Sequence, residues 1–308
     1  MFSFSTCWNS ERHIDGRTML AEIRELGFEY AELSHAIRLS LVDGIQKAVQ
    51  AGEIKISSLH NFCPLPLSVT GPAPDYYRPS ARNATEHELA IRQTLRTLDF
   101  AASLGAPVVV LHLGTVEMRR YTEKLLLLLE QDRGAASKFV RIRDKALASR
   151  AKKCAKYFEQ VVQALDVIVP HARQLNIRLG LETRLGIEQI PSEDEIGELI
   201  HRYSTEAVAY WHDVGHAATK ELFGLAGHET LLERYRGQTA GMHLQDFAPP
   251  GFDHQPPGFG TFDFTRLRPF LTREMILVWE IHSHWTTAQV QQACRTAQEM
   301  LRVPATTA

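Results

Sequence analysis

Ile177-Arg178-Leu179-Gly180-Leu181-Glu182 is a short apolar run that ends on a carboxylate. The same construction returns three times downstream, in Val208–Asp213, Ala240–Leu244 and Ile276–Glu280, and each run places a charged or imidazole side chain at or near its end. Runs of this length, rich in branched and aromatic residues, predict buried strands. Four more precede them: Phe2–Cys7, Tyr30–Ser34, Ile54–His60 and Pro107–Leu113. Segments of helical period lie between, among them Thr18–Leu26, Glu86–Leu104, Glu193–Tyr203 and Thr287–Leu301. Several end on glycine or asparagine before the next strand, as at Leu26-Gly27, Leu104-Gly105 and Leu175-Asn176, which is how helices commonly stop.

Eight strands alternating with helices predict an α/β fold, a (β/α)₈ TIM barrel, with an open doubly wound sheet as the rival. The 308 residues exceed the roughly 250 of a typical barrel without reaching two domains. A single domain over 1–308 is expected, its excess length being a helical insertion at about 117–156, between strands four and five. A second irregular stretch, Phe247–Gly260, carries prolines 249, 250, 256 and 257 and reads as a structured loop after strand seven.

The strand ends carry the chemistry. Glu182, Asp213, His243 and Glu280 are spaced by 31, 30 and 37 residues, so each occupies nearly the same place in its repeat. In such a barrel the strand-end side chains converge at the C-terminal mouth. Three carboxylates and an imidazole gathered there repel one another unless a cation holds them. A set of oxygen and nitrogen donors without thiolates suits one divalent ion: Mn²⁺, Mg²⁺, Co²⁺ or Zn²⁺. Singly, a strand-end carboxylate is usually a cap or an ion-pair partner; the set on four successive strands is what points to a metal.

The segments Gly180–Arg184, Trp211–His216, Met242–Asp246 and Val278–His282 resemble the xylose isomerase-like barrel superfamily over nearly the whole chain. The superfamily includes ketose epimerases, hydroxypyruvate isomerases, inosose dehydratases and the endonuclease IV type of apurinic nuclease. The resemblance implies that Glu182, Asp213, His243 and Glu280 hold the ion. It also implies that Glu182 and Glu280 are catalytic, moving a proton between adjacent carbons of a sugar or polyol through a metal-stabilised enediolate. A metal-bound carboxylate is a weaker base than a free one, so a desolvated mouth is needed to raise its pKa. His216, in an Asp-x-x-His spacing, resembles the substrate-contacting histidine. Arg184 shares the face of Glu182 and either meets substrate or pairs with Glu188 or Asp194 at the rim. His60, His112 and His254 complete the expected substrate-binding set.

The nuclease is the alternative, because His60, His112 and His216 match positions that bind additional zinc there. Its Asp-x-His element is damaged, however: His254 fits, Phe252 stands where the aspartate belongs, and Asp253 is displaced by one, which on an extended loop turns it to the other face. Charge is a second test. Net charge is −2 and the pI about 6.7, with no global pull toward nucleic acid or membrane. The segment Lys138–Lys156 nevertheless holds eight basic residues against one acid, Asp144. It reads as a solvated helix face over an apolar stripe of Val140, Leu147, Cys154, Phe158 and Val161. A third reading is a barrel that binds a ligand without turning it over. Four cysteines without a close pair, no long apolar run and no basic leader ahead of Phe2–Thr6 predict a cytoplasmic protein. The expected partner is a small sugar or polyol rather than nucleic acid or membrane; a homo-oligomer is left open.

Overall fold

A computed structural model describes the chain except for Ser68, Thr70, Ala73, 132–135 and 302–308. Part of the expected insertion and the end of the expected 1–308 span therefore lie outside the described residues. Eight parallel strands close on themselves: β1 (Phe2–Ser5), β2 (Tyr30–Leu33), β3 (Lys55–His60), β4 (Val108–Leu111), β5 (Arg178–Glu182), β6 (Val208–Asp213), β7 (Thr239–Leu244) and β10 (Ile276–Trp279). Parallel pairing of β10 with β1 shuts the ring, which rules out the open sheet. Between β7 and β10 the proline-rich segment forms an antiparallel hairpin of β8 (Asp246–Ala248) and β9 (Phe252–Gln255).

The helices are α1 (Gly16–Glu25), α2 (Leu39–Gln50), α3 (Ala84–Ser103), α4 (Thr122–Glu130), α5 (Ala136–Lys153), α6 (Ala155–Gln174), α7 (Glu193–Tyr203), α8 (Val214–Leu222), α9 (His228–Arg234) and α10 (Thr287–Leu301). Local chemistry sets their ends. Ser192 and Glu195 form a reciprocal capping box on α7. Gly27, Gly105 and Asn176 take left-handed φ values of 98°, 68° and 56° just after α1, α3 and α6, turning the chain back toward the barrel.

Inside the barrel, period-two alternation puts Gly180 beneath Glu182, Trp211 beneath Asp213, Gly241 beneath His243 and Val278 beneath Glu280. The Trp211 indole fills this layer. A Cβ on Gly241 would lie 2.4 Å from the indole, and one on Gly180 3.1 Å from it. The two glycines are thus the space the indole occupies, and the tryptophan floors the mouth.

The basic segment differs from its expected stripe. Val140 and Leu147 are 42% and 38% exposed, while α5 turns Ile142, Ala146 and Arg150 inward. The stripe assumed one continuous helix, but α5 stops at Lys153 and α6 restarts at Ala155, which breaks the phase. Nor is Arg150 solvated. Its Nη1 and Nη2 donate to Glu195 Oε1 and Oε2 at 2.9 and 2.7 Å, and Nη2 also donates to Gln189 O at 3.0 Å. Arg150→Ala strands a buried carboxylate and is expected to cost about 3–5 kcal/mol of stability. Lys152→Ala, on the exposed face, is expected to stay within about 0.5 kcal/mol. Urea unfolding of both variants checks this; equal, small losses would show that the pair does not tie α5 to α7.

Candidate metal centre and active site

Glu182 and Asp213 end β5 and β6, His243 is the next-to-last residue of β7, and Glu280 directly follows β10. All four are buried, and one donor atom from each lies within 4.8 Å of the others. His243 is the hub: its Nδ1 sits 3.3 Å from Glu182 Oε1, 3.3 Å from Glu280 Oε2 and 3.6 Å from Asp213 Oδ2.

The other imidazole nitrogen explains this pose. His243 Nε2 donates to Glu32 at 3.2–3.3 Å, and Glu32, on β2, also accepts from Ser58 Oγ at 2.7 Å. Sequence reasoning misses Glu32, although a lone carboxylate inside the apolar Tyr30–Leu33 run is a usable signal, since such a group is rarely buried unpaired. With Nε2 committed to Glu32, Nδ1 of the neutral ring offers its lone pair to the three-carboxylate side. Four electron-rich groups then face one point, a fit for a divalent cation. Without one, a proton fills the role. Burial opposes charging His243, but Glu280 and Glu32 outweigh it and hold the imidazole well above its ordinary pKa.

Asp213 is committed on both oxygens. Oδ1 accepts from the backbone N–H of His216, capping α8, at 2.7 Å, and Oδ2 accepts from Gln245 Nε2 at 2.8 Å. Glu182 collects histidines: His112 Nε2 at 2.7 Å and His60 Nε2 at 3.2 Å, both on Oε2. Burial would raise the Glu182 carboxyl, but His112, His243 and His60 outweigh it and hold it well below the carboxylate range. Enclosure alone therefore does not make Glu182 a stronger base. His60, His112 and Glu182 form a second close group of possible ligands.

The remaining expected residues separate into cavity wall and support. A cavity of about 390 Å³ is lined by His60, His112, Glu182, His216, His254 and Glu280, and also by His35, another residue the sequence reading passes over. The His35 ring meets His60 edge-on at 4.8 Å. His216 Nδ1 donates to Thr183 O at 2.8 Å, and His254 Nδ1 to Glu280 O at 3.1 Å. Arg184 lies outside this wall, 1% exposed. It donates to Asp75 Oδ2 at 2.8 Å, while Glu188 is engaged by Thr122 and Asp194 by Arg234. Asp75 Oδ1 in turn lies 3.4 Å from His112 Nδ1. Arg184 thus reaches the site through Asp75 and His112.

The strand-end quartet of a closed eight-stranded barrel agrees with a family match over residues 20–302, nearly the whole chain. The chain belongs to the xylose isomerase-like TIM barrel family. The barrel is similar to that of an E. coli 3-keto-D-glucoside 4-epimerase (TM-score 0.66, 15% identity, covering 97% of this chain and 98% of that one). It is similar also to an L-ribulose 3-epimerase (0.68, 13%, 97% and 94%) and to a Clostridium cellulolyticum H10 D-psicose 3-epimerase (0.65, 10%, 98% and 99%). At such identities the likeness is one of fold. An uncharacterized protein of Sinorhizobium fredii is 25% identical over 204 residues, 64% of this chain and 55% of that protein, so the chain spans little more than half that relative's length.

Within this family barrel, Glu32 is the point at which the quartet can be probed without altering any of its four members. Glu32→Gln keeps the shape and a hydrogen-bond acceptor but removes the charge behind His243. Metal affinity, read by competition with a chromophoric chelator, is expected to fall about 10- to 100-fold. An unchanged affinity would reduce Glu32 to packing.

Proposed function

We propose that this protein is a divalent-metal-dependent isomerase or epimerase of a sugar or polyol. The observation that carries the proposal is the convergence of Glu182, Asp213, His243 and Glu280 at a cavity whose volume falls within the roughly 300–1,000 Å³ of small-molecule sites. The bound ion would polarise a carbonyl and its neighbouring hydroxyl, which acidifies the C–H between them. The chain's own groups do the rest. Glu280, on the cavity wall and without the two additional histidine donors that Glu182 carries, takes the proton from carbon. Glu182, held by His60 and His112, stands across the cluster as the partner carboxylate: in an isomerisation Glu280 hands its proton back to the neighbouring carbon, and in an epimerisation Glu182 delivers one to the opposite face of the same carbon, relayed from His112, while Glu280 keeps the one it took until solvent resets the pair. Asp75 and Arg184 keep His112 aligned. The similarity to solved epimerases and the enclosed, histidine-rich wall support the reading.

Elemental analysis after dialysis is expected to report one tightly held equivalent, lost in Asp213→Asn. In D₂O with the metal present, the carbon-bound hydrogen of a turned-over ketose, aldose or inosose is expected to exchange with solvent. Glu280→Gln should abolish exchange while leaving substrate affinity within roughly tenfold, about 1.4 kcal/mol. A screen of these sugars without metal-dependent exchange or turnover would sink the proposal and leave a ligand-binding barrel.

One observation favours a second reading, a zinc-dependent apurinic nuclease: His60 and His112 meet on one oxygen of Glu182, as two ligands of a further ion would. The basic segment supports it poorly. Arg150 is spent on Glu195, and Arg143 donates to Asp144 and to Phe223 O. Three tightly held zinc equivalents with nicking beside an abasic site would move this reading to first place.

A further inference from the structure

One wall of the cavity continues beyond it. His254 and His282 both line the cavity, and their ring centroids lie 4.6 Å apart. From there the contacts run outward: His284 lies 5.8 Å from His282, Trp285 5.0 Å from His284, and Phe259 4.5 Å from Trp285. These rings form one continuous ladder from the cavity to the rim. Two parts of the chain build it, since His254 and Phe259 belong to β9 and the loop after it, while His282, His284 and Trp285 follow β10.

Hydrogen bonds fix its course. The His282 backbone N–H donates to His254 O at 3.1 Å, which ties the loop after β10 to β9. Trp285 is held from below, its carbonyl accepting from Nε1 of the fully buried Trp8 at 2.9 Å. The Phe259 N–H closes a turn on Pro256 O at 3.1 Å. The outer rungs nevertheless stay open to solvent: Phe259 is 46% exposed, and His282 and His284 are exposed as well. Rings left exposed in a continuous row do not serve the core, and exposed patches of this kind mark binding surfaces.

Charge decides what such a surface takes. No lysine or arginine occurs in 237–265 or 274–294, the segments that carry the ladder. Among the described residues, none lines the cavity either. A phosphate or carboxylate would meet no guanidinium or ammonium here, the groups that ordinarily bind it. Ring faces interleaved with imidazoles and the Ser283 hydroxyl suit instead a neutral ring with C–H groups on one face and hydroxyls at its edge. That describes a pyranose. The cavity, at about 390 Å³, lies near the small end of small-molecule sites, so the second unit of a larger ligand falls outside it, where the ladder begins.

We propose that the substrate is an uncharged reducing disaccharide, whose reducing residue enters the mouth while its second ring stacks on Trp285 and Phe259. This orientation rests on the isomerase reading, because in an unoxidised disaccharide only the reducing residue opens to the carbonyl that the proton transfer requires. The second ring meets only the ladder; it adds affinity and selection and takes no part in the chemistry.

Calorimetry on the Mg²⁺-loaded full chain tests this without turnover. Each disaccharide is compared with its own reducing residue: lactulose and maltulose with fructose, cellobiose and maltose with glucose. At least one is expected to bind about tenfold more tightly than its reducing residue, the yield of two stacked rings. Trp285→Ala and Phe259→Ala, checked for folding by circular dichroism, are each expected to bring that ratio down to about twofold or less. In the wild type, saturation of the aromatic protons is expected to transfer to the non-reducing ring in the NMR spectrum, a measurement independent of any variant. No disaccharide tighter than its reducing residue, no transfer to the second ring, or a ratio that survives both substitutions overturns the proposal. So does tightest binding by fructose 6-phosphate, which would call for a charged substrate, or by phenyl β-glucoside, which would make the ladder an aryl site. The isomerase reading fails separately: a disaccharide preference without metal-dependent hydrogen exchange sinks that reading and leaves the ladder standing.

Discussion

The hydrogen bond from His243 Nε2 to Glu32 is the interaction on which the mouth of this barrel depends. It crosses the barrel interior, from β7 to β2, and joins residues 211 apart in sequence. Its chemical effect is directional. By taking one imidazole nitrogen it turns the other to Glu182, Asp213 and Glu280, so that three carboxylates and a lone pair share one focus. A buried carboxylate such as Glu32 is costly unless satisfied. Here the imidazole and the Ser58 hydroxyl both donate to it, and Ser58 lies within a short chain of buried hydroxyls through Ser57 to Ser3.

The focus also needs a floor, and packing provides it. Trp211 stands beneath Asp213, and its ring lies 5.2 Å from that of His243. The indole fits because strands β5 and β7 present glycine on either side. Protein interiors pack like crystals, so a floor of this kind transmits position to the groups above it. Charged side chains stay aligned because the layer below leaves them nowhere to sink.

Around the focus, histidines divide the labour among the carboxylates. Glu182 carries His60 and His112 and is held ionised; Glu280 faces the cavity with fewer donors; Asp213 is spent on the start of α8 and on Gln245. Three carboxylates of similar burial thus differ in what donates to them. Asp75 and Arg184 extend the order outward, since an ion pair between the loop after β3 and the end of β5 sets the back of His112.

Much of this was legible in the order of residues. The strand-end period, the alternation of apolar runs with amphipathic segments and the glycine stops are local properties, and they specified eight strands and the quartet Glu182, Asp213, His243 and Glu280. The sequence by itself determined which groups stand at strand ends. Tertiary structure decided what each of them touches. Glu32, Asp75 and His35 sit far along the chain from the groups they contact, and no spacing rule links them until the ring closes. Helical phase misled on α5, because the break near Cys154 moved Arg150 inward while Val140 and Leu147 stayed out. Strand phase alone does not carry past His254, which takes a left-handed φ of 53° within the hairpin. A periodic pattern reports the direction of a side chain only while the backbone repeats; closure of the barrel, breaks in helices and single left-handed residues are settled by packing, which the pattern does not contain.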